Sequence, residues 1–389
     1  MNYCRKALAL LCAVLAAFAC TSCKFRDTYD LTDTESTAVD DNAPSLTIAE
    51  KINELGSDNS TDEAPIVDIP SVNDPEVTRE ITVAVTGDIK LDETMIADAK
   101  AHASEGKNYA FLRMYTGIYR TLNDADIAVG AYSAIGKPYG TDAEYEPPTE
   151  HLDALASVGF DLLDISGMGS DYRVMEEHGL SGFSDAEQGD EAFKSVEKDG
   201  MTFTFAAVGG EGSAQSYTDD KFYENLEYAD LPADVLIVSV HWGEDMADED
   251  VDAVVSRLIA SGADVIVGYG DTLGKTETIE NEDGSKALVC YSLGNLLSTA
   301  EEGYSLCSGT LVLKYTTVTD VYGDKTEMSA TVVPSVVYYT AENTEYCVYR
   351  ISEFTDDLAQ THAADVDVAG LTEFVKSKIP EEFLPEGLR

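Results

Sequence analysis

Short runs of apolar residues, separated by polar turns, dominate the middle of the chain. The clearest run is ADVLIVSVHWGED (residues 233–245), in which apolar or small residues fill positions 235–240 before His241 ends the run. Such a pattern is typical of a strand buried on both faces of a largely parallel sheet. Similar runs predict further strands at residues 81–85, 126–129, 161–165, 201–208, 264–267 and 287–293.

Segments with helical spacing lie between these strands. Leu152, Leu155 and Val158 recur at helical intervals, and Gly159 follows them as a stop signal. The same reasoning predicts helices at residues 95–103, 111–122, 148–158 and 248–259. Strands that alternate with helices favour an α/β fold built on a parallel sheet.

The last part of the chain has a different pattern. After Cys307 the apolar residues alternate with polar ones over longer stretches, which is typical of strands with one exposed face. This pattern predicts strands at residues 309–317, 327–339 and 346–351, followed by short helices at 355–362 and 371–379. The C-terminal part is therefore expected to be β-rich.

The N-terminus has the features of a targeting segment. Arg5 and Lys6 precede an apolar run that is too short to span a membrane as a mature helix, and the run ends in AAFACTSC. Residues 1–23 are thus predicted to be a lipoprotein signal peptide, with Cys20 acylated, or alternatively Cys23; an ordinary secretory signal is the remaining alternative. Residues 24–80 are acidic and rich in Ser, Thr, Asn and Pro, which predicts a disordered tether.

Net charge restricts the class of partner, and cysteine spacing restricts metal clusters and disulfides. The chain carries 25 basic against 73 acidic residues, a formal net charge of −48, and this charge opposes binding to nucleic acid. Cys290, Cys307 and Cys347 lack the C-x-x-C spacing of a metal cluster and allow at most one disulfide, which the sequence leaves open.

Polar residues follow several of the predicted strands. Asp88 comes after the first strand in TVAVTGDI, His241 ends the central strand in HWG, and Asp271 follows the next one in GYGDT. Ligand sites of open α/β folds lie at the carboxyl ends of the strands, so these residues are candidates for a site. A histidine that only completes the hydrogen bonding of the strand end is an equally good interpretation of His241.

The order of these strand ends resembles the CapA family of capsule or poly-γ-glutamate synthesis proteins, whose fold is similar to that of calcineurin-like metallophosphatases. The resemblance extends over residues 81–340, and the remainder, 341–389, is expected to pack on that domain as a strand and helices. It implies a layered α/β/β/α sandwich with a dinuclear metal site at the strand ends. Family-motif residues retained here are Gly87, Asp88, His241, Trp242, Gly243, Tyr291, Ser292, Gly294 and Asn295.

Most of the metal ligands that the resemblance implies are replaced. The family has NLE after the second strand, NNH after the third and GHHPH after the strand that follows HWG. This chain has Gly130, Ala131 and Tyr132, then Gly167, Met168 and Gly169, then GYGDT at residues 268–272. Glycine and methionine side chains hold no divalent metal, so no catalytic residue is assigned, and Tyr132, Met168 and Tyr269 are expected to fill the hollow instead.

Three hypotheses follow from this comparison. The leading one is an extracytoplasmic lipoprotein that is anchored to the membrane through its lipid and has lost catalysis. It acts as a binding or scaffold protein for an envelope polymer or for capsule-synthesis proteins. No cofactor is expected. The second is a weak hydrolase of phosphoester or amide bonds in which Asp88, His241 and Asp271, with Asp171, hold a single weakly bound divalent metal. The third, a substrate-binding lipoprotein of a transporter, needs two similar lobes, whereas the sequence predicts one.

Overall fold

The computed structural model describes residues 77–134, 147–166, 173–185, 193–210, 213–228, 233–243, 246–282, 284–300, 303–320 and 323–389. The predicted signal peptide, both candidate acylation sites and nearly all of the predicted tether lie outside these ranges. The strands are β1 Val77–Leu91, β2 Ile127–Ala134, β3 Leu162–Asp164, β4 Ser181–Phe183, β5 Phe193–Lys198, β6 Met201–Val208, β7 Val235–His241, β8 Val265–Tyr269, β9 Thr276–Glu280, β10 Lys286–Cys290, β11 Asn295–Leu297, β12 Cys307–Asp320, β13 Gly323–Tyr338 and β14 Cys347–Arg350.

These strands form two sheets. The first sheet has the order β14-β13-β12-β1-β2-β3-β4, with β11 paired in addition to β1; the second has the order β5-β6-β7-β8-β10-β9. Within the first sheet, β1 to β4 run parallel, whereas β12, β13 and β14 are antiparallel neighbours. In the second sheet β6, β7, β8 and β10 are parallel. The C-terminal part is β-rich, as the sequence predicts.

Eight α-helices accompany the sheets in the described part of the chain. They are α1 Glu93–Ala101, α2 Tyr119–Asn123, α3 Glu150–Val158, α4 Arg173–Glu177, α5 Asp220–Tyr228, α6 Asp248–Ala260, α7 Asp356–Thr361 and α8 Val368–Lys378, with short 3-10 turns such as Phe111–Tyr115.

Alternating side chains of the second sheet show how the layers pack. Val235 and Ile237 of β7 belong to the core shared with the first sheet, whereas Leu236, Val238 and Val240 pack in a separate core with α5 and α6. A strand that contributes apolar residues to both faces lies between two layers. Because α1 and α3 contribute to the core of the first sheet, the described residues confirm the predicted α/β/β/α sandwich.

The parallel strands begin with a repeated hydrogen-bonding motif. Asp126, Asp161, Asp234 and Asp264 each stand just before a strand, and one carboxylate oxygen of each accepts a hydrogen bond from a backbone N–H of the preceding strand at 2.8–2.9 Å. The backbone N–H of each Asp donates in turn to that strand at 2.8–2.9 Å. These contacts pair the starts of neighbouring strands and so fix their register.

Several elements differ from the sequence-based expectations. β1 begins at Val77 instead of residue 81, because residues 77–80 continue the antiparallel ladder with Thr316–Thr319 of β12. The helix predicted over 111–122 is divided into a 3-10 turn and α2, since Gly117 packs against the backbone of Val348 without room for a Cβ. No expectation from the sequence covers β4, β5, β9, β11, α4 and α5.

Cys290, Cys307 and Cys347 are buried free thiols. No helix in the described ranges combines the length and the apolar composition that crossing a membrane requires.

Candidate functional site

A bulge in β1 determines where Asp88 points. Val85 pairs with Val129 of β2, but Asp88 pairs with Ala131, so three steps along β1 match two steps along β2. The extra residue restores Asp88 to the face of the sheet that Val83 and Val85 occupy, since side chains alternate along a strand. Asp88 therefore lies on the inner face, between the sheets, and is 8% exposed.

The motif YSLGN holds this bulge in place. The backbone N–H of Asp88 donates to the Gly294 carbonyl at 3.0 Å, and Asn295 is the register partner of Asp88 across β11. A Cβ on Gly87 would overlap the Gly294 carbonyl oxygen, and Gly294 itself has a φ of 64°. Both glycines are thus required by the close approach of two backbones.

His241 and Asp164 form an ion pair across the two sheets. His241 shares the inner face of β7 with Val235 and Ile237, and its Nε2 donates to Asp164 Oδ2 at 2.8 Å. The Asp164 side chain is fully buried, and its Oδ1 accepts hydrogen bonds from the Ser166 hydroxyl at 2.6 Å and from the Ser166 backbone N–H at 3.0 Å. Both oxygens of this carboxylate are therefore engaged by groups at the strand ends.

The charges of the pair stabilise one another. Burial acts to lower the pKa of His241, but Asp164 in contact, with Asp88 and Asp185 nearby, raises it to about 9. Burial acts in the opposite direction on Asp164, yet the His241 charge and the donors of Ser166 hold its pKa below the usual value. At neutral pH the pair is therefore imidazolium and carboxylate.

Two further carboxyl groups face this ion pair. Burial raises the pKa of Asp88 against the opposing effect of Lys90 and His241, and burial likewise raises the pKa of Asp185. Asp88 Oδ2 accepts a hydrogen bond from the Ser133 hydroxyl at 3.1 Å. Its Oδ1 is buried without a hydrogen-bond partner among the described residues, and the same holds for Asn295 Oδ1. These two oxygens are free acceptors among the described residues of the site.

Asp271 lies at the same edge of the sheets but faces solvent. Its side chain is 85% exposed, and its Oδ1 accepts from Lys90 Nζ at 2.8 Å. Lys90 holds the pKa of Asp271 below its usual value. The backbone carbonyl of Asp271 accepts from Asn295 Nδ2 at 3.3 Å. Asp271 is therefore engaged by a lysine, and its assignment as a metal ligand stays a prediction.

One aromatic residue covers the ion pair as expected, and another does not. Tyr269 stacks on the His241 ring with centroids 5.0 Å apart. The expectation that Tyr132 fills the same hollow is wrong, because Tyr132 lies one position after Ala131 and so faces α3, where its hydroxyl is 3.1 Å from His151 Nδ1. Met168 and Asp171 lie outside the described residues.

The motif HWG connects β7 to the YSLGN segment. Trp242 Nε1 donates to the Tyr291 carbonyl at 2.7 Å, and the Gly243 backbone N–H donates to the Tyr217 hydroxyl at 3.0 Å. Gly268 lies beneath this contact, where any Cβ would overlap both Trp242 and Tyr291. In addition, the Ser292 hydroxyl accepts from the Gly294 backbone N–H at 3.0 Å. These motif residues serve the packing of the strand ends.

The dinuclear metal centre that the family resemblance implies does not fit this arrangement. The Nε2 of His241 is engaged by Asp164, so this histidine offers at most its Nδ1 to a metal. In the described parts of the chain, no three His, Cys, Asp or Glu side chains are grouped so that they could hold a metal ion. Asp88 Oδ1 and Asn295 Oδ1 amount to two oxygen donors, which is fewer than a pair of divalent ions requires.

Asp164 and Asp185 are members of the site that the sequence analysis missed. Asp164 lies within the third predicted strand, in LLDIS, and the resemblance directed attention to residues 167–169 instead. A charged residue inside an apolar strand was the available signal, since an aspartate is rarely buried without a partner. Asp185 follows β4, a strand too short to be recognised from its pattern.

Residues 176–300 match the family model described as "Bacterial capsule synthesis protein PGA_cap". No curated protein matches the chain.

Similar solved structures include a phosphatase from Mycoplasma pneumoniae, with 10% identity and a TM-score of 0.39 over 66% of this chain and 95% of that one. A hypothetical protein from Thermus thermophilus has 14% identity and a TM-score of 0.40 over 65% and 98%. Vps29 from Chaetomium thermophilum, solved with a cyclic peptide, has 12% identity and a TM-score of 0.26 over 66% and 96%.

The matched residues contain HWG and YSLGN, two motifs on which the resemblance rests. The match therefore confirms the predicted similarity to CapA proteins, and residues 176–300 are similar to the bacterial capsule synthesis proteins.

Proposed function

We propose that this protein is a surface-anchored, non-catalytic binding or scaffold protein for the synthesis of a capsule, poly-γ-glutamate or another envelope polymer. The observation that carries the proposal is the ion pair between His241 and Asp164, 2.8 Å long and covered by Tyr269. The histidine that the chain shares with the family is thereby used to hold the two sheets together. A protonated imidazole accepts no proton from substrate, and the Nε2 that Asp164 engages is not available to a metal.

The retained motifs support a scaffold more than an enzyme. Trp242, Gly268 and Gly294 are each fixed by backbone contacts at the strand ends, so the sequence preserves the packing of this region. In an enzyme of this fold the side chains in the hollow would also have to be preserved, since two-metal catalysis depends on them. A surface built on the same framework needs only its shape.

The location that we propose follows from the N-terminal residues. A lipid on Cys20, or on Cys23, would anchor the chain outside the cytoplasm, and the acidic segment 24–80 would hold the domain away from the bilayer. Partners of such a protein are the membrane, an envelope polymer or the capsule-synthesis proteins. The net charge of −48 opposes nucleic acid as a partner.

The same charge predicts how an anionic polymer would bind. Poly-γ-glutamate and this chain repel one another at low ionic strength. We expect weak binding of free polyglutamate that strengthens with divalent cations or with added salt. Tight binding at low salt in the presence of a chelator would contradict this part of the proposal.

Complementation in the native host tests the proposal as a whole. The double variant Asp88→Ala/His241→Ala should restore polymer yield to a strain that lacks the protein, provided that its surface level equals that of the wild type. A form in which Cys20 and Cys23 are both replaced by Ser should fail. A folded double variant that restores no polymer would overturn the non-catalytic role.

One observation favours a second candidate function. Asp88 Oδ1 and Asn295 Oδ1 are buried and lack a partner among the described residues, and a single hard cation such as Mg²⁺ would satisfy both. The protein would then be a weak mononuclear hydrolase of phosphoester or amide bonds. This alternative predicts turnover of p-nitrophenyl phosphate that requires added metal. Asn295→Ala and Asp88→Ala should each abolish that turnover. A wild-type protein with no metal-dependent turnover would exclude the alternative.

A further inference from the structure

A cavity of about 540 Å³ lies at the opposite end of the sandwich from the site around Asp88. It opens where β6, β7 and β10 begin, and Arg79 near the start of β1 is part of its wall. Arg79 precedes Asp88 by nine positions on one strand, so roughly 30 Å separate the two at 3.3 Å per residue. The cavity is thus independent of the site described above.

The cavity has an apolar floor between the two sheets. Val235 and Leu288 contribute from the second sheet and Tyr315 from the first, all 5% exposed or less. Tyr315 is held edge-on against Phe203, with ring centroids 5.2 Å apart. Met328, 43% exposed, lies at the mouth. A volume of this size and a firm apolar floor are typical of pockets for small organic molecules.

At the rim of the cavity, two carboxylates have no cationic partner among the described residues. Arg79 is already paired with Asp324 at 2.9 Å, and Lys286, at 64% exposure, extends into solvent beside Glu280 at 4.0 Å. Asp234 and Asp264 also line the cavity and belong to exposed positions. No cationic side chain in the described ranges lies within ion-pair distance of either carboxylate.

The carboxylate of Asp264 is held in place at the edge of the apolar floor. Its Oδ2 accepts from the Leu236 backbone N–H at 2.8 Å, which fixes the carboxylate beside the opening. Burial, and after it the Asp264 charge, raise the pKa of the Tyr315 phenol, and both residues line the cavity. A cationic group placed near Asp264 would therefore also sit next to the aromatic ring.

We propose that this cavity binds an amphipathic amine, with its apolar or aromatic body on the floor formed by Val235, Leu288 and Tyr315 and its ammonium group between Asp234 and Asp264. The net charge of −48 attracts cations to the protein and repels anions, which favours an amine over a carboxylate or a phosphate. Met328 at the mouth adapts its shape to different bodies, since its side chain is flexible and polarisable.

Three naphthalene probes that differ in charge test the proposal on the purified full-length protein by isothermal titration calorimetry. They are 2-(1-naphthyl)ethylamine, the neutral 2-(1-naphthyl)ethanol and the anionic 1-naphthylacetate. We expect the amine to bind about tenfold more tightly than the other two, because one charge-assisted hydrogen bond distinguishes them. Equal affinity of amine and alcohol, tighter binding of the acetate, or no binding of the amine at millimolar concentration would overturn the proposal.

Variants locate the binding. Asp264→Asn retains an oxygen for the Leu236 N–H and removes the charge, so it should weaken the amine about tenfold and leave the alcohol unchanged. Asp161→Asn is the matched control, because Asp161 makes the same contact with a strand outside this cavity, and it should change neither affinity. Thr326→Trp, on the exposed part of β13 at the mouth, should weaken amine and alcohol alike, and it decides the matter if Asp264→Asn does not fold. Unchanged amine binding in Thr326→Trp contradicts the location.

Discussion

The ion pair between His241 and Asp164 should make the stability of the protein depend on pH in the alkaline range. The pKa of His241 is about 9 in the folded protein against 6.5 in an unfolded chain. A group whose pKa is raised by folding contributes stability that is complete below 6.5 and is lost as the pH rises through about 9. The shift corresponds to about 3 kcal/mol, at 1.36 kcal/mol per pKa unit.

Asp164→Asn is the perturbation that isolates this contribution. The amide keeps the size of the side chain and a hydrogen-bond acceptor but removes the charge that raises the pKa of His241 most. Burial then opposes only the more distant Asp88 and Asp185, so the His241 pKa should fall by at least one unit. Urea unfolding between pH 6 and pH 10 should show a decline of up to about 3 kcal/mol in the wild type and a much shallower one in Asp164→Asn.

Direct titration and a surface control make the test specific. The ring protons of His241, assigned by NMR with His241→Gln, should titrate near pH 9. Asp153→Asn removes a carboxylate 2.6 Å from His178, but Asp153 is 62% exposed, so this variant should cost less than about 1 kcal/mol and leave the alkaline slope intact. A wild-type His241 that titrates near or below pH 6.5 would refute the reasoning.

Three further predictions concern packing and buried polar groups. His151 lies fully buried between two tyrosine hydroxyls, and burial lowers its pKa to about 3. The free energy of unfolding should therefore fall by several kcal/mol as the pH drops from 6.5 towards 3. In His151→Phe the free energy of unfolding should depend less on pH over this range. Gly87→Ala should cost roughly 2 kcal/mol or more in thermal unfolding, since its Cβ would meet a backbone carbonyl, whereas Gly387→Ala, with open space around it, should be neutral. Asp98→Ala should cost about 3 kcal/mol by urea unfolding, because the fully buried carboxylate pairs with Arg113 at 2.8 Å; a loss below 1 kcal/mol would mean that the pair is not needed.

The sequence predicts the parallel strands well for a physical reason. Residues 203–208 and 235–240 are buried on both faces, and such burial leaves a continuous apolar run that is visible without a structure. Asp234 in ADVLIV and Asp264 in GADVIV each precede such a strand. Because the carboxylate bonds to the neighbouring strand, an aspartate at this position can mark where a parallel strand begins. Strands at the sheet edges, such as β5 and β9, have mixed burial and gave no such signal.

The candidate site could be predicted only in part. Asp88 and His241 were found because one follows and the other ends a predicted apolar strand, and the structure brings both to the inner face of the sandwich. The bulge at Gly87 could not be predicted, since it depends on the approach of Gly294 from a distant part of the chain. The pairing of His241 with Asp164 depends on contact between two sheets, which no local pattern encodes.

The metal content of the purified full-length protein tests the central claim most directly. Elemental analysis after equilibration with Mg²⁺, Mn²⁺ and Zn²⁺ and removal of free metal should find well below one metal ion per chain. The same sample should be folded and should show no turnover of generic phosphoesters. Close to two metal ions per chain, together with turnover that Asp88→Ala and His241→Ala abolish, would contradict the account.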